Sequence, residues 1–157
     1  MRATALIAAI ATAALVSPAF AAELSRTEYK AAVEPKCQKN TKANERIMKG
    51  VRNLVKRNKL KPAGAKFLKA SAALKRTYRE LKAVPQPSAD EARLKKWLRY
   101  IATEANLFKS AGVALKQGKK GKAQRFVNKL TTNANKANAE VLAFGFRYCK
   151  FNPAKFT

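Results

Sequence analysis

Two cysteines, nine carboxylates and no histidine set the reactive inventory of this 157-residue chain. Without histidine there is no Ser-His-Asp triad and no Cys-His dyad. Histidine-ligated zinc or iron and a haem held by an axial histidine are equally closed. The cysteines, Cys37 and Cys149, are an even pair, which in an exported protein reads as a disulfide. The alternative is two buried free thiols. Two thiolates alone cannot complete a tetrahedral zinc shell, and no C-x-x-C-H haem-attachment motif is present. If the cysteines pair, thiol nucleophile chemistry is lost as well.

What remains is carboxylate, lysine or tyrosine chemistry. The carboxylates are Glu23, Glu28, Glu34, Glu45, Glu80, Asp90, Glu91, Glu104 and Glu140. Glycoside hydrolysis needs two of them roughly 5–10 Å apart across a cleft. Only Glu104 lies beside an apolar stripe within a helix, and the expectation for it is an ion pair with a lysine of a neighbouring helix. A ferritin-type di-metal site needs Glu-x-x-His motifs, which are missing. The chain therefore reads as a non-enzyme with no cofactor and no metal, and a carboxylate-based hydrolase is a remote alternative.

The basic residues are numerous and ordered. There are 34 lysines and arginines, and the net charge is +25. Lys39, Lys42, Arg46, Lys49, Arg52, Lys56 and Lys59 recur at spacings of three and four, which places them on one helical face. That face lies opposite the apolar positions of the same segment and is almost free of acid. Lys66, Lys69, Lys75, Arg76, Arg79 and Lys82 repeat the arrangement opposite Phe67, Leu74 and Leu81. Consecutive antiparallel helices are usually neighbours, so the two stripes are expected to share one positive surface. The candidate polyanion site comprises Lys39, Lys42, Arg46, Lys49, Arg52, Lys56, Lys66, Lys69, Arg76 and Arg79. A merely solvated face is the competing account, but such faces normally intersperse glutamate with lysine.

The elements that position these residues are helical. No alternating strand pattern of useful length occurs, and four stretches have helical period. The first opens on a capping box, Ser25 with Glu28, and meets Pro35, which predicts a kink or restart. Its apolar positions are Cys37, Ile47, Met48, Val51, Leu54 and Val55, and it ends near Asn58. Pro62 suits the first turn of the second stretch, which carries Phe67, Ala70, Leu74, Tyr78 and Leu81 and stops at Val84-Pro85-Gln86-Pro87. The third opens on a second capping box, Ser88 with Glu91, and buries Leu94, Trp97, Leu98, Ile101, Ala105, Phe108 and Leu115. Gly118-Lys119-Lys120-Gly121 is a turn. The fourth stretch runs through Ala123, Phe126, Val127, Leu130, Ala134, Val141, Leu142, Tyr148 and Cys149.

Short connections between long amphipathic helices predict an all-α, antiparallel up-down-up-down four-helix bundle. In that topology Cys37, just after Pro35, and Cys149, in the last turn of the fourth helix, lie at one end, so one disulfide closes the bundle. An Asn-rich run, Thr131 to Asn138, is a poor helix former. The expectation for these asparagines is that they look outward; the alternative, in the register the cysteines imply, is a polar layer involving Asn44, Asn135 or Asn138 that sets register or lines a small cavity. The tail from Phe151 to Thr157 is expected to fold over the disulfide end and bury Phe151 and Phe156.

The amino terminus reads as an export signal. Arg2 precedes an apolar run from Ala5 to Val16, and Ser17-Pro18 and Ala19-Phe20-Ala21 follow, so residues 1–21 form a cleavable signal peptide. The run is shorter than the roughly 20 residues that span a bilayer. Residues 22–157 form a single helical domain with no transmembrane segment, read as a monomer. These features predict an exported (secreted, periplasmic or envelope-associated) basic protein. Its partner is an anionic polymer, either a cell-wall polymer, lipopolysaccharide or extracellular nucleic acid. The alternative is a bundle that binds a small apolar or anionic ligand between its helices.

Overall fold

The computed structural model describes residues 23–152. The expected signal peptide, residues 1–21, and Phe156 lie outside the described residues. Those described are helical, with no strand. Four long helices are α1 (Arg26–Met48), α3 (Leu60–Lys82), α4 (Glu91–Lys116) and α5 (Lys120–Glu140). The short α2 (Val51–Lys56) intervenes after α1. None of them is long and apolar enough to cross a membrane.

Helix α1 starts as its sequence requires. The Ser25 hydroxyl accepts from the Glu28 N–H, and the Glu28 carboxylate accepts from the Ser25 N–H. The expected restart at Pro35 does not occur, because α1 continues through it to Met48. Proline removes one helical hydrogen bond, but both flanks of Pro35 are held from outside the helix. Glu34 binds the carboxy-terminal segment and Cys37 is cross-linked to it. The interruption falls instead at Gly50, whose φ of 76° is left-handed and ends the helical path.

Helices α3 and α4 form the tightest pair. Gly64 meets Gly112 so closely that a Cβ on Gly64 would lie 2.5 Å from the Gly112 carbonyl oxygen. The Phe67 and Phe108 rings pack with centroids 5.8 Å apart, and the buried Ser71 hydroxyl donates to the Ala105 carbonyl at 2.7 Å. Numbers rise on one helix as they fall on the other, so the pair runs in opposite directions. The same holds for α4 and α5, where Asn133 donates to the Tyr100 carbonyl and Lys96 pairs with Glu140. Helix α1 packs on α3, with the Lys66 ammonium bonded to the Ile47 carbonyl at 2.8 Å. The core is the apolar stripe expected of α4, from Leu94 to Leu115, with Phe67, Leu74 and Leu81 of α3 against it.

Two expected features are absent. Ser88 and Glu91 form no capping box. Residues 88–90 make a single 3₁₀ turn, and the buried Asp90 carboxylate instead receives both Arg26 Nε at 2.6 Å and Arg26 Nη2 at 2.8 Å. Ser88 gives its N–H to Glu23. The fourth helix is also shorter than expected, since α5 ends at Glu140. A 3₁₀ turn over Leu142–Phe144 follows, then Gly145 with φ 56°. On either side of Gly145, Phe144 and Phe146 turn inward, stacking on each other at 5.2 Å and reaching Tyr29 and Trp97. Cys149 therefore sits in non-helical chain, and it still bonds to Cys37.

Candidate functional site

The basic face comes from α1, α2 and α3. Lys39, Lys42, Arg46 and Lys49 stand exposed at the end of or along α1, and Arg52 and Lys56 continue along α2. On α3, Lys69, Arg76 and Arg79 are exposed, as are Lys75 and Lys82. Lys66 differs. It is half-buried, and its ammonium is committed to the Ile47 carbonyl, so it ties α3 to α1 rather than facing solvent. Glu45 is exposed three residues after Lys42 and four before Lys49, so the α1 stripe includes one carboxylate. Arg26, Lys95 and Lys96, which pair with Asp90, Glu91 and Glu140, belong to neither stripe.

The carboxy-terminal segment also lies along α1 and is held by side chains that reach its backbone. The Glu34 carboxylate accepts from the N–H groups of Arg147 and Tyr148, and Lys30 donates to the Gly145 carbonyl. Thr41 donates to the Tyr148 carbonyl at 3.4 Å. Asn138 of α5 exchanges two hydrogen bonds with Phe151. The Phe151 ring then reaches the edge of Phe108 at 6.1 Å. Phe151 thus folds inward, as expected. The polar layer takes another form. Asn138 serves the tail, Asn133 serves Tyr100, Asn135 is exposed, and Asn44 is buried beside Asn40. The tail comes to both α1 and α5, so their asparagines do not meet in the register expected for two adjoining helices.

Beneath this segment lies a small cavity of about 40 Å³, lined by Thr41, Thr77, Glu104, Tyr148 and the disulfide among others. Glu104 is only 2% exposed and makes no hydrogen bond or ion pair among the described residues. Among the described residues no lysine pairs with Glu104 as the sequence led one to expect, because Glu104 points to the interior, whereas lysines keep their ammonium groups in water. Burial pushes its carboxyl up to about 8. The opposite case is Asp90, which the Arg26 hydrogen bonds hold below its ordinary range. Burial also raises the Tyr29 phenol to about 12. Among the described residues no three His, Cys, Asp or Glu side chains gather where they could hold a metal.

A third feature was not legible in the sequence. Between α2 and α5 runs a cleft of about 260 Å³. Its walls are Val51 and Val55 on one side and Ala123 and Val127 on the other, over a floor of Phe67 and Leu115. These residues are the core positions expected from the sequence: Val51, Phe67, Leu115 and Ala123 are buried, and Val55 and Val127 are half-buried against them at the cleft's mouth. The cleft exists because the chain is redirected at Gly50, and that position carried no helical signal to mark it.

No protein-family model, curated protein or solved structure matches the chain.

Proposed function

We propose that this protein is a non-enzymatic, exported, up-down-up-down helical bundle that associates with anionic polymers of the cell envelope or extracellular space. The observation that carries the reading is the exposure of nine of the ten candidate cations along α1, α2 and α3. On α1 they lie on successive turns, about 5 Å apart along the axis, a spacing that lets several engage one polymer together. Such a face attracts phosphate, sulfate or carboxylate without reading a sequence. The disulfide fits an oxidising compartment and so supports export.

The test is binding of residues 22–157 to heparin and to duplex DNA across a salt series. For duplex DNA, log affinity should fall against log salt with a slope of about −0.9 per phosphate neutralised. Changing Lys39, Lys42, Arg46 and Lys49 together to glutamine should lower both affinity and slope while the helical content stays. Changing Lys95 and Lys109 should matter less. Equal losses in both variants would assign the attraction to net charge, and no binding at physiological salt would end the proposal.

A further inference from the structure

We infer that the cleft between α2 and α5 is a binding site for a single-chain anionic amphiphile, an acyl chain carrying one carboxylate head. This site shares Arg52 and Lys56 with the candidate polyanion face, but its apolar floor lies outside that face and the inference does not depend on the polymer-binding reading.

Three observations support the assignment. First, six apolar side chains from four helices converge on one open cleft: Val51 and Val55 from α2, Phe67 from α3, Leu115 from α4, and Ala123 and Val127 from α5. Two larger clefts among the described residues differ. One is walled largely by polar and charged side chains such as Asn106, Lys109, Ser110 and Lys122. The other is an open hollow over the loops at 58–62 and 116–118. Second, the remaining lining residues are Arg52, Lys56, Lys120 and Gln124. Three cations and an amide ring the apolar floor with no carboxylate among them, so the rim complements an anionic head and opposes a cationic one. Third, the volume of about 260 Å³ is just below the roughly 300 Å³ at which small-molecule pockets begin. It suits one chain of moderate length rather than a diacyl lipid.

The position of α2 explains why the cleft is open. Gly50 at φ 76° turns the chain out of α1, and Asn58 at φ 55° turns it again into α3. The six residues of α2 between them pack on α3, while α5 packs on α4. The facing sides of α2 and α5 are therefore left apart over the Phe67–Leu115 floor.

The experiment is calorimetric titration of residues 22–157 with octanoate, decanoate and dodecanoate, each below its micelle concentration, with decanol and decyltrimethylammonium as comparisons. Saturable one-to-one binding is expected. It should tighten about fourfold per added methylene, the value for a buried CH₂, and then level off once the cleft is full. Decanol should bind at least tenfold more weakly than decanoate, and decyltrimethylammonium not at all. Val127→Trp, which fills the cleft from a half-buried position, should abolish binding. Arg52→Gln with Lys56→Gln and Lys120→Gln should reduce decanoate to the affinity of decanol. The Lys39, Lys42, Arg46 and Lys49 glutamine variant should bind decanoate as the unaltered protein does, even as it loses heparin. Amide chemical shifts of the unaltered protein give a readout that needs no variant, and the changes should centre on Val55, Leu115 and Val127. Non-saturable uptake, equal affinity for all three head groups, or shifts centred at the disulfide end would each overturn the inference.

Discussion

The Asn138 side chain and the Phe151 backbone exchange two hydrogen bonds: Nδ2 donates to the Phe151 carbonyl at 2.9 Å and Oδ1 accepts from the Phe151 N–H at 3.0 Å. The amide thereby acts as a substitute peptide group for a segment outside the helices. An Asn138→Ala substitution removes both of these hydrogen bonds. It should cost about 1–3 kcal/mol, measured by urea unfolding. Asn135→Ala, at an exposed position three residues before Asn138 on the same helix, should be near neutral.

Glu104 sets a pH dependence with a definite sign. Its folded value of about 8 lies above the ordinary 4.5, so the folded state holds a proton that the unfolded chain releases between those values. Stability should therefore fall as pH rises from about 4.5 and level off above about 8. Glu104→Gln keeps the shape and removes the titration. The variant should gain stability over the parent progressively across that window, by several kcal/mol at its upper end. Urea midpoints at pH 5, 7 and 9 measure this, and a constant difference between the two proteins would contradict it.

The Gly64–Gly112 approach predicts opposite outcomes for the same change at two glycines. Gly64→Ala forces α3 and α4 apart, since the new Cβ meets the Gly112 carbonyl and the Lys116 side chain. Overpacking of this kind costs about 1–3 kcal/mol, set against a gain of at most about 1 kcal/mol in helix propensity. Gly121→Ala, in the first turn of α5 with nothing within 4 Å, should keep the propensity gain and stabilise. Thermal unfolding of the two variants reads the contrast directly.

Replacing Cys37 and Cys149 with serine should cost about 2–5 kcal/mol, because the bridge closes a loop with a sequence separation of 112. The effect should disappear when parent and variant are compared under reducing conditions.

The features legible in the sequence were those with a strong period or a unique chemistry. The apolar stripe of α4 is buried at every expected position, and two cysteines in a chain can pair in only one way. The basic stripes were legible for the same reason, since charge at spacings of three and four on a helix that buries its other face has to be exposed. Lys66 was misread because its long stem reaches a neighbouring carbonyl, which spacing cannot reveal. The end of α5 was misread because Val141, Leu142, Tyr148 and Cys149 fit a helical period by chance. Leu142 proves 69% exposed, while Phe144 and Phe146 turn inward on alternate positions around Gly145. That alternation and the glycine were the available signal. Pro35 drew the expected break away from Gly50, because a proline is a visible obstacle whereas tertiary anchoring of its flanks is not.

The placement of the disulfide has a mechanical consequence. Cys37 and Cys149 lie close to the two ends of the described chain, and nearly all of the helical body belongs to the loop between them. A tensile load applied through the chain ends passes from one cysteine to the other across the covalent bridge. Residues 38–148 carry none of it. Under traction, only the opening turns of α1 and the few residues after Cys149 can pay out as slack. The basic face, from Lys39 to Arg79, stays folded and in register at forces that would unravel an unbridged bundle.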